Sequence, residues 1–151
     1  MSTAGGSQVS LARLAVSFVV GYIVTSQLNW LVAEKWLNAY VTPMFAGFMR
    51  EGGDVNLPAI IIGMMLPVLA VTIVLALLER PRSWWARGLV AGGVVSLTTF
   101  FGAYSFLSGW GNVGLRPLLI TACADTFTVI VGALVIAAIQ GSRRSQPAVT
   151  P

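Results

Sequence analysis

The sequence contains no histidine and only one cysteine, and just 9% of its 151 residues are charged. Histidine is the usual general base and the commonest metal ligand, so most acid–base, haem and di-metal enzyme sites are excluded. Cys123 has no second cysteine with which to form an internal disulfide or a thiolate metal site. The glycines have no phosphate-loop spacing either. We therefore expect a protein that is not an enzyme and that holds no metal and no cofactor.

The low charge also excludes an ordinary soluble domain, which carries about 25% charged residues. Hydrophobic residues make up 56% of the chain, and they concentrate in four apolar runs over 11–32, 57–78, 86–107 and 118–139. Each run has the roughly 20 residues that a helix needs to cross a bilayer. The sequence predicts an all-α integral membrane protein, an antiparallel four-helix bundle over 11–140, with a mobile N-terminus (1–10) and a disordered C-terminal tail (141–151).

The distribution of basic residues predicts how the bundle is oriented. Six arginines fall on one side of the predicted bundle and three basic residues fall on the other, which places both termini in the cytoplasm by the positive-inside rule. The first set is Arg13, Arg80, Arg82, Arg87, Arg143 and Arg144; the second is Lys35, Arg50 and Arg116. These nine residues form no continuous stripe and accompany no recognition motif, so we expect the bilayer, and no nucleic acid, as a partner.

Small residues, aromatic residues and prolines predict how the helices pack. The small residues that should let helices approach closely are Ser17, Gly21, Thr25, Gly88, Gly92, Gly102 and Gly132. The tryptophans expected at the membrane interfaces are Trp30, Trp36, Trp84, Trp85 and Trp110. Pro67 should kink the second span. The connection over 33–56 should hold an interfacial helix near 34–40, a break near Pro43 and a turn at Gly52 and Gly53; whether it caps the bundle or covers a binding site stays open.

Asp125 is the only Asp, Glu, Lys or Arg residue well inside one of the four apolar runs. Thr121 and Thr128 share its helix face, and Asp125 lies about 10 Å along the axis from the start of its span. Counting inward along the antiparallel helices brings Gln27, Tyr104 and Thr99 to a similar depth, which predicts an intramembrane polar cluster. Two hypotheses remain: Asp125 joins helices through hydrogen bonds, or it serves as a proton or cation site or as the partner of a basic group on another subunit.

The pattern of these residues resembles a family of small bacterial four-span membrane proteins of unknown function. The similar features are a first helix with Gly21 that runs out through Trp30 and Trp36, and a last helix with Asp125 ahead of Gly132. The Trp-Tyr pair that is typical of that family is absent here, since Leu31 follows Trp30. The resemblance implies a four-helix fold in the inner membrane and implies no activity.

These observations lead to one preferred function and one alternative. We expect a noncatalytic accessory or scaffold protein of a bacterial cytoplasmic membrane, which packs against other membrane subunits or against itself. The alternative is a small dimeric transporter or proton-linked carrier that uses Asp125.

Overall fold

The computed structural model of the protein describes residues 9–45, 56–78, 83–111 and 114–141, and within these ranges it contains helices and no strand. Four helices are long and apolar enough to cross a membrane: α1 (Leu11–Tyr40), α2 (Leu57–Leu77), α3 (Trp84–Gly109) and α4 (Leu115–Gln140). The prediction of an all-helical chain with four candidate spans is confirmed. The predicted mobile N-terminus and disordered tail lie almost wholly outside the described residues.

Helix α1 is longer than the predicted first span. The Ser10 hydroxyl caps its start by accepting a hydrogen bond from the main-chain N–H of Arg13. Regular α-helix extends to Val32, a π-helical segment follows over Ala33–Leu37, and the helix ends at Tyr40 before a 3-10 turn, Thr42–Phe45. The predicted interfacial helix is therefore an extension of the first span, and Pro43 lies in the turn that follows it. The predicted Gly52–Gly53 turn lies outside the described residues.

The other three helices begin and end near the predicted positions. The Asn56 side chain caps α2 by accepting from the main-chain N–H of Ala59 at 3.1 Å. Pro67 lies buried inside α2, whose helix continues on both sides of it, and the predicted kink stays a prediction. Helix α3 contains a π-helical segment, Leu97–Gly102. Helix α4 ends at Gly141, whose φ of 81° is in the left-handed region that glycine adopts without strain.

Hydrogen bonds between helix ends show that helices adjacent in sequence run antiparallel. Arg13, near the start of α1, donates to the carbonyl of Gln140 at the end of α4 (3.3 Å). Arg87, near the start of α3, donates to the carbonyls of Leu75 and Gly141. The starts of α1 and α3 thus meet the ends of α2 and α4 at what we call the terminal end; the opposite end is the distal end. The side of the membrane on which the terminal end lies stays a prediction.

The apolar core lies where α2, α3 and α4 meet. Its buried residues are Val68, Val71, Leu75, Ala91, Val95, Val129, Ala133, Ile136 and Ala137. Small residues bring α3 close to α4, since a Cβ placed on Gly92 would lie 3.0 Å from the Cβ of Ala133, and Gly88 is similarly close to Leu134. The large side chains on the outside of all four helices are mostly apolar, as a bilayer environment requires.

The expectation that Gly102 packs against another helix of this bundle is wrong, because this residue is exposed. It ends the π-helical segment Leu97–Gly102. A π-helix bonds each residue to the fifth along the chain rather than the fourth, so the 3.6-residue spacing that relates helix faces does not continue through it. The small-residue spacing that predicts a packing face at Gly88 and Gly92 therefore does not apply at Gly102.

Candidate functional site

One face of α1 forms a closely packed seam with α4. Ser17, Gly21 and Thr25 recur at every fourth position and are buried, and the same spacing reaches Asn29. Gly21 lies against the side chain of Ile136, where an added Cβ would overlap it. A Cβ added to Gly132 would likewise overlap the Thr25 hydroxyl. The two helix backbones therefore approach closely, and farther toward the distal end Asn29 of α1 contacts Asp125 of α4.

The contact between Asn29 and Asp125 is a hydrogen bond. The Asn29 amide Nδ2 donates to Asp125 Oδ1 at 2.8 Å, and the Tyr104 hydroxyl donates to Asp125 Oδ2 at 2.7 Å. One carboxyl group thus joins α1, α3 and α4, and each of its oxygens accepts a hydrogen bond. We call Asn29, Tyr104 and Asp125 the polar centre. Its two donors offset part of the cost of placing a carboxylate in an apolar bundle.

The local structure of α3 orients Tyr104 toward α4. Tyr104 lies two residues after the π-helical segment Leu97–Gly102, whose wider turns rotate the rest of the helix relative to a regular α-helix. Phe100 packs beside the Tyr104 ring with centroids 6.1 Å apart and planes tilted by 45°. This contact restricts the tyrosine ring while its hydroxyl reaches the carboxylate.

The threonines of the predicted cluster bond mainly to main-chain atoms. The Thr128 hydroxyl donates to the main-chain oxygen of Asp125 at 2.8 Å, and the Thr121 hydroxyl donates to that of Pro117 at 3.0 Å. Thr99 is half-buried within the π-helical segment. Of the residues predicted to surround Asp125, Tyr104 is the one whose side chain bonds to the carboxylate.

The expectation that Gln27 belongs to the polar centre is wrong. Its side chain is exposed, because a residue two positions from Thr25 and two from Asn29 points to roughly the opposite side of the helix. Depth along the axis suggested Gln27, but direction around the axis decides the contact. Asn29 was missed although the sequence held the signal: it extends the Ser17, Gly21 and Thr25 series by one more step of four.

The polar centre contains one acidic group and neutral donors. Among the described residues there is no cluster of three or more histidine, cysteine, aspartate or glutamate side chains that could hold a metal ion. Three buried hydroxyls of α1 and α4, on Thr25, Ser26 and Thr126, have no hydrogen-bond partner within the described part of the chain. The geometry allows Asp125 to hold helices together or to take up a proton, and both roles would involve Asn29 and Tyr104.

A second polar region occupies the terminal end. The Arg87 side chain is fully buried and donates from Nη1 to the carbonyl of Gly141 at 3.0 Å and from Nη2 to that of Leu75. These carbonyls end α4 and α2, where the helix dipole favours a positive charge. Nearby, the Gln140 amide donates to Ser17 Oγ at 3.4 Å and to the Thr72 carbonyl at 3.5 Å. We call this region the terminal cap.

The distribution of basic residues predicts Arg87 only as a flanking charge that sets the topology. The missed signal was its position: Arg87 lies four residues before Ala91 and eight before Val95, which are buried core residues of α3. A helix directs residues at that spacing to the same side. Its guanidinium group lies at the terminal end of the bundle, where it bonds to the carbonyls that end α2 and α4.

The predicted interface tryptophans are exposed where the structure describes their side chains. Trp30 and Trp36 lie on the distal half of α1, and Trp84 and Trp85 begin α3 at the terminal end. The side chain of Trp110 lies outside the described residues. Exposed tryptophans toward each end of an apolar bundle are typical of the two membrane interfaces.

Comparison with family models, with curated proteins and with solved structures finds no match to this chain. The resemblance to small bacterial four-span membrane proteins is not tested by these comparisons and stays a prediction.

Proposed function

We propose that this chain is a noncatalytic integral membrane protein of a bacterial cytoplasmic membrane that acts as an accessory or scaffold subunit, either in a larger complex or in an oligomer of itself. The observation that carries the proposal is the geometry of Asp125. Both oxygens of its carboxyl group accept hydrogen bonds from other helices of the same bundle. A carboxyl group bonded in this way acts as a link between helices.

The outer surface of the bundle supports the same proposal. Helix α2 exposes large apolar side chains along its length, among them Leu57, Leu66 and Leu77. Among the residues that the structure describes, none lies within 4 Å of a Cβ added to Gly63 of α2 or Gly93 of α3 from another part of the fold. Small residues on the outside of a membrane helix permit another helix to approach closely, so these surfaces suit lipid or a neighbouring subunit.

The proposal is tested by purifying the tagged full-length chain at native expression in a gentle detergent, and by measuring the mass and composition of the intact particle. A stoichiometric complex with other membrane proteins, or a defined homo-oligomer, is expected. A strictly monomeric chain that co-purifies with no partner would contradict the proposal.

Asp125→Asn gives the matched control for this measurement. Asparagine has nearly the same shape and can still exchange hydrogen bonds with Asn29 and Tyr104, so the particle should keep its mass and composition. Asp125→Leu, which removes the hydrogen bonds as well as the charge, should weaken the particle together with the bundle. If Asp125→Asn alone dissociates the particle, the charge of Asp125 acts on another subunit rather than within the bundle.

The second candidate is the small dimeric, proton-linked carrier. The π-helical segment Leu97–Gly102 favours it, because π-helical turns frequently occur at functional sites and this one ends two residues before Tyr104. An intramembrane carboxylate is also typical of proton pathways. The carrier predicts a proton flux in liposomes that Asp125→Asn abolishes while the fold is preserved. Equal flux through wild-type and Asp125→Asn liposomes would exclude it.

A further inference from the structure

An open groove lies at the distal end between the last turns of α1 and the first half of α4. Its volume is about 500 Å³, within the range of roughly 300–1,000 Å³ that small-molecule sites occupy. Its lining is almost entirely apolar: Val32, Trp36, Leu37, Tyr40, Met44, Ile120, Cys123, Ala124 and Phe127, together with Arg116. A molecule that fills this groove must therefore be largely hydrocarbon.

Arg116 gives the groove a single charge. It lies in the first turn of α4, where the helix dipole adds positive potential and where no acidic residue occurs. Its side chain is exposed, and within the ranges that the structure describes it forms no ion pair with a carboxylate. A guanidinium group in this setting suits a phosphate, which it can bind through two parallel N–H bonds.

One wall of the groove follows a stripe of α4 that begins at the charged end. Arg116, Ile120, Cys123 and Phe127 follow one stripe of α4 that is roughly 16 Å long at 1.5 Å per residue. Trp36 and Tyr40 are exposed on the opposite wall, and such aromatic residues lie at headgroup level. The charged end of the groove therefore meets the headgroups, while its apolar stripe runs toward the acyl chains.

We propose that this groove binds one acyl chain of an anionic phospholipid, whose phosphate bonds to Arg116. The groove residues are not part of the polar centre, so the proposal holds whether the protein is an accessory subunit or a carrier. A zwitterionic phospholipid offers a similar chain, but its own cation competes for the phosphate, so binding should depend on the net charge of the headgroup.

Cys123 provides a built-in probe, because the only cysteine of the chain is exposed and lines the groove. The solubilised full-length protein is treated with a maleimide while phosphatidylglycerol or phosphatidylcholine is added to the micelles. Phosphatidylglycerol should slow the labelling at lower concentration than phosphatidylcholine does. In Arg116→Gln the half-protecting concentration of phosphatidylglycerol should rise about tenfold, which corresponds to about 1.4 kcal/mol.

Lys35→Gln is the matched control. Lys35 is an exposed cation in the part of α1 that forms the other wall of the groove, but its own side chain does not line the groove. This variant should keep the wild-type protection, and Arg116→Lys should keep most of the preference for phosphatidylglycerol. Glycerol phosphate, which has no acyl chain, should give no protection. Equal protection by both lipids in the wild type would overturn the proposal. Protection by glycerol phosphate added without a phospholipid would also overturn it. Circular dichroism and elution volume check that each variant is folded.

Discussion

Arg87 and Asp125 are ionisable side chains held inside the same bundle, but they obtain their hydrogen bonds from different parts of the protein. Arg87 donates to main-chain carbonyls of Leu75 and Gly141. Asp125 accepts from the side chains of Asn29 and Tyr104. Every helix ends with unpaired carbonyls whatever its sequence, so the fold itself supplies partners to the terminal cap. The polar centre needs two particular side chains on two other helices.

The α1–α4 seam connects these two regions. It begins in the terminal cap, where Gln140 donates to Ser17, and it ends in the polar centre, where Asn29 donates to Asp125. Between these two contacts, Gly21 and Gly132 allow close approach of the helices. The regions are therefore coupled: a change in the seam that displaces α1 should lengthen the Asn29 contact as well as disturb the packing.

The largest effect is expected from Arg87→Leu, which removes the cation of the terminal cap. The change leaves the carbonyls of Leu75 and Gly141 without these donors, and hydrogen bonds from a charged group contribute about 1.5–3 kcal/mol each. The free energy of unfolding should fall by roughly 3–6 kcal/mol. Denaturant unfolding of the detergent-solubilised protein, followed by circular dichroism, measures it. A loss below about 1 kcal/mol would show that solvent or lipid replaces Arg87 at these carbonyls.

The next effect concerns the seam and compares two glycines. In Gly132→Ala the new methyl group would overlap the Thr25 hydroxyl, and overpacking of this kind typically costs about 1–3 kcal/mol. Gly93→Ala is the control, because no neighbouring helix in the described ranges comes within 4 Å of a Cβ there; it should stabilise α3 by about 0.5–1 kcal/mol through the better helix propensity of alanine. Thermal unfolding should shift in opposite directions for the two variants, and equal shifts would contradict the close approach of α1 and α4.

A smaller effect is expected in the polar centre. Tyr104→Phe and Asn29→Ala each remove one donor from Asp125, and hydrogen bonds between membrane helices contribute about 0.6 kcal/mol on average, with a maximum near 1.7 kcal/mol. Each variant should lose about 1 kcal/mol in the native background and less in an Asp125→Leu background. A double-mutant cycle for Tyr104 and Asp125 measures the coupling. No coupling would mean that the two side chains do not stabilise each other.

Much of this architecture follows from the sequence, because span length and apolar composition are local properties. The four spans and the small residues of the α1–α4 seam depend on hydrophobicity and a spacing of four. The residues around Asp125 depend on rotation about each helix axis, which is why Gln27 was expected where Asn29 lies. The π-helical segment Leu97–Gly102 changes the direction in which the following side chains of α3 point, and no residue pattern within the segment predicts that change. The partners of Arg87 could not be predicted either, since they are main-chain carbonyls rather than side chains.

The smallest effect is expected from substituting Arg13, the other arginine of the terminal end. Arg13 is exposed and donates one hydrogen bond, to the Gln140 carbonyl at 3.3 Å, whereas Arg87 is fully buried. Because water can replace an exposed donor, Arg13→Leu should change the free energy of unfolding by no more than about 0.5 kcal/mol. The same unfolding measurement used for Arg87→Leu compares them directly. If Arg13→Leu costs as much as Arg87→Leu, burial is not what gives the terminal cap its strength, and the dipoles at the ends of α2 and α4 respond to any nearby positive charge.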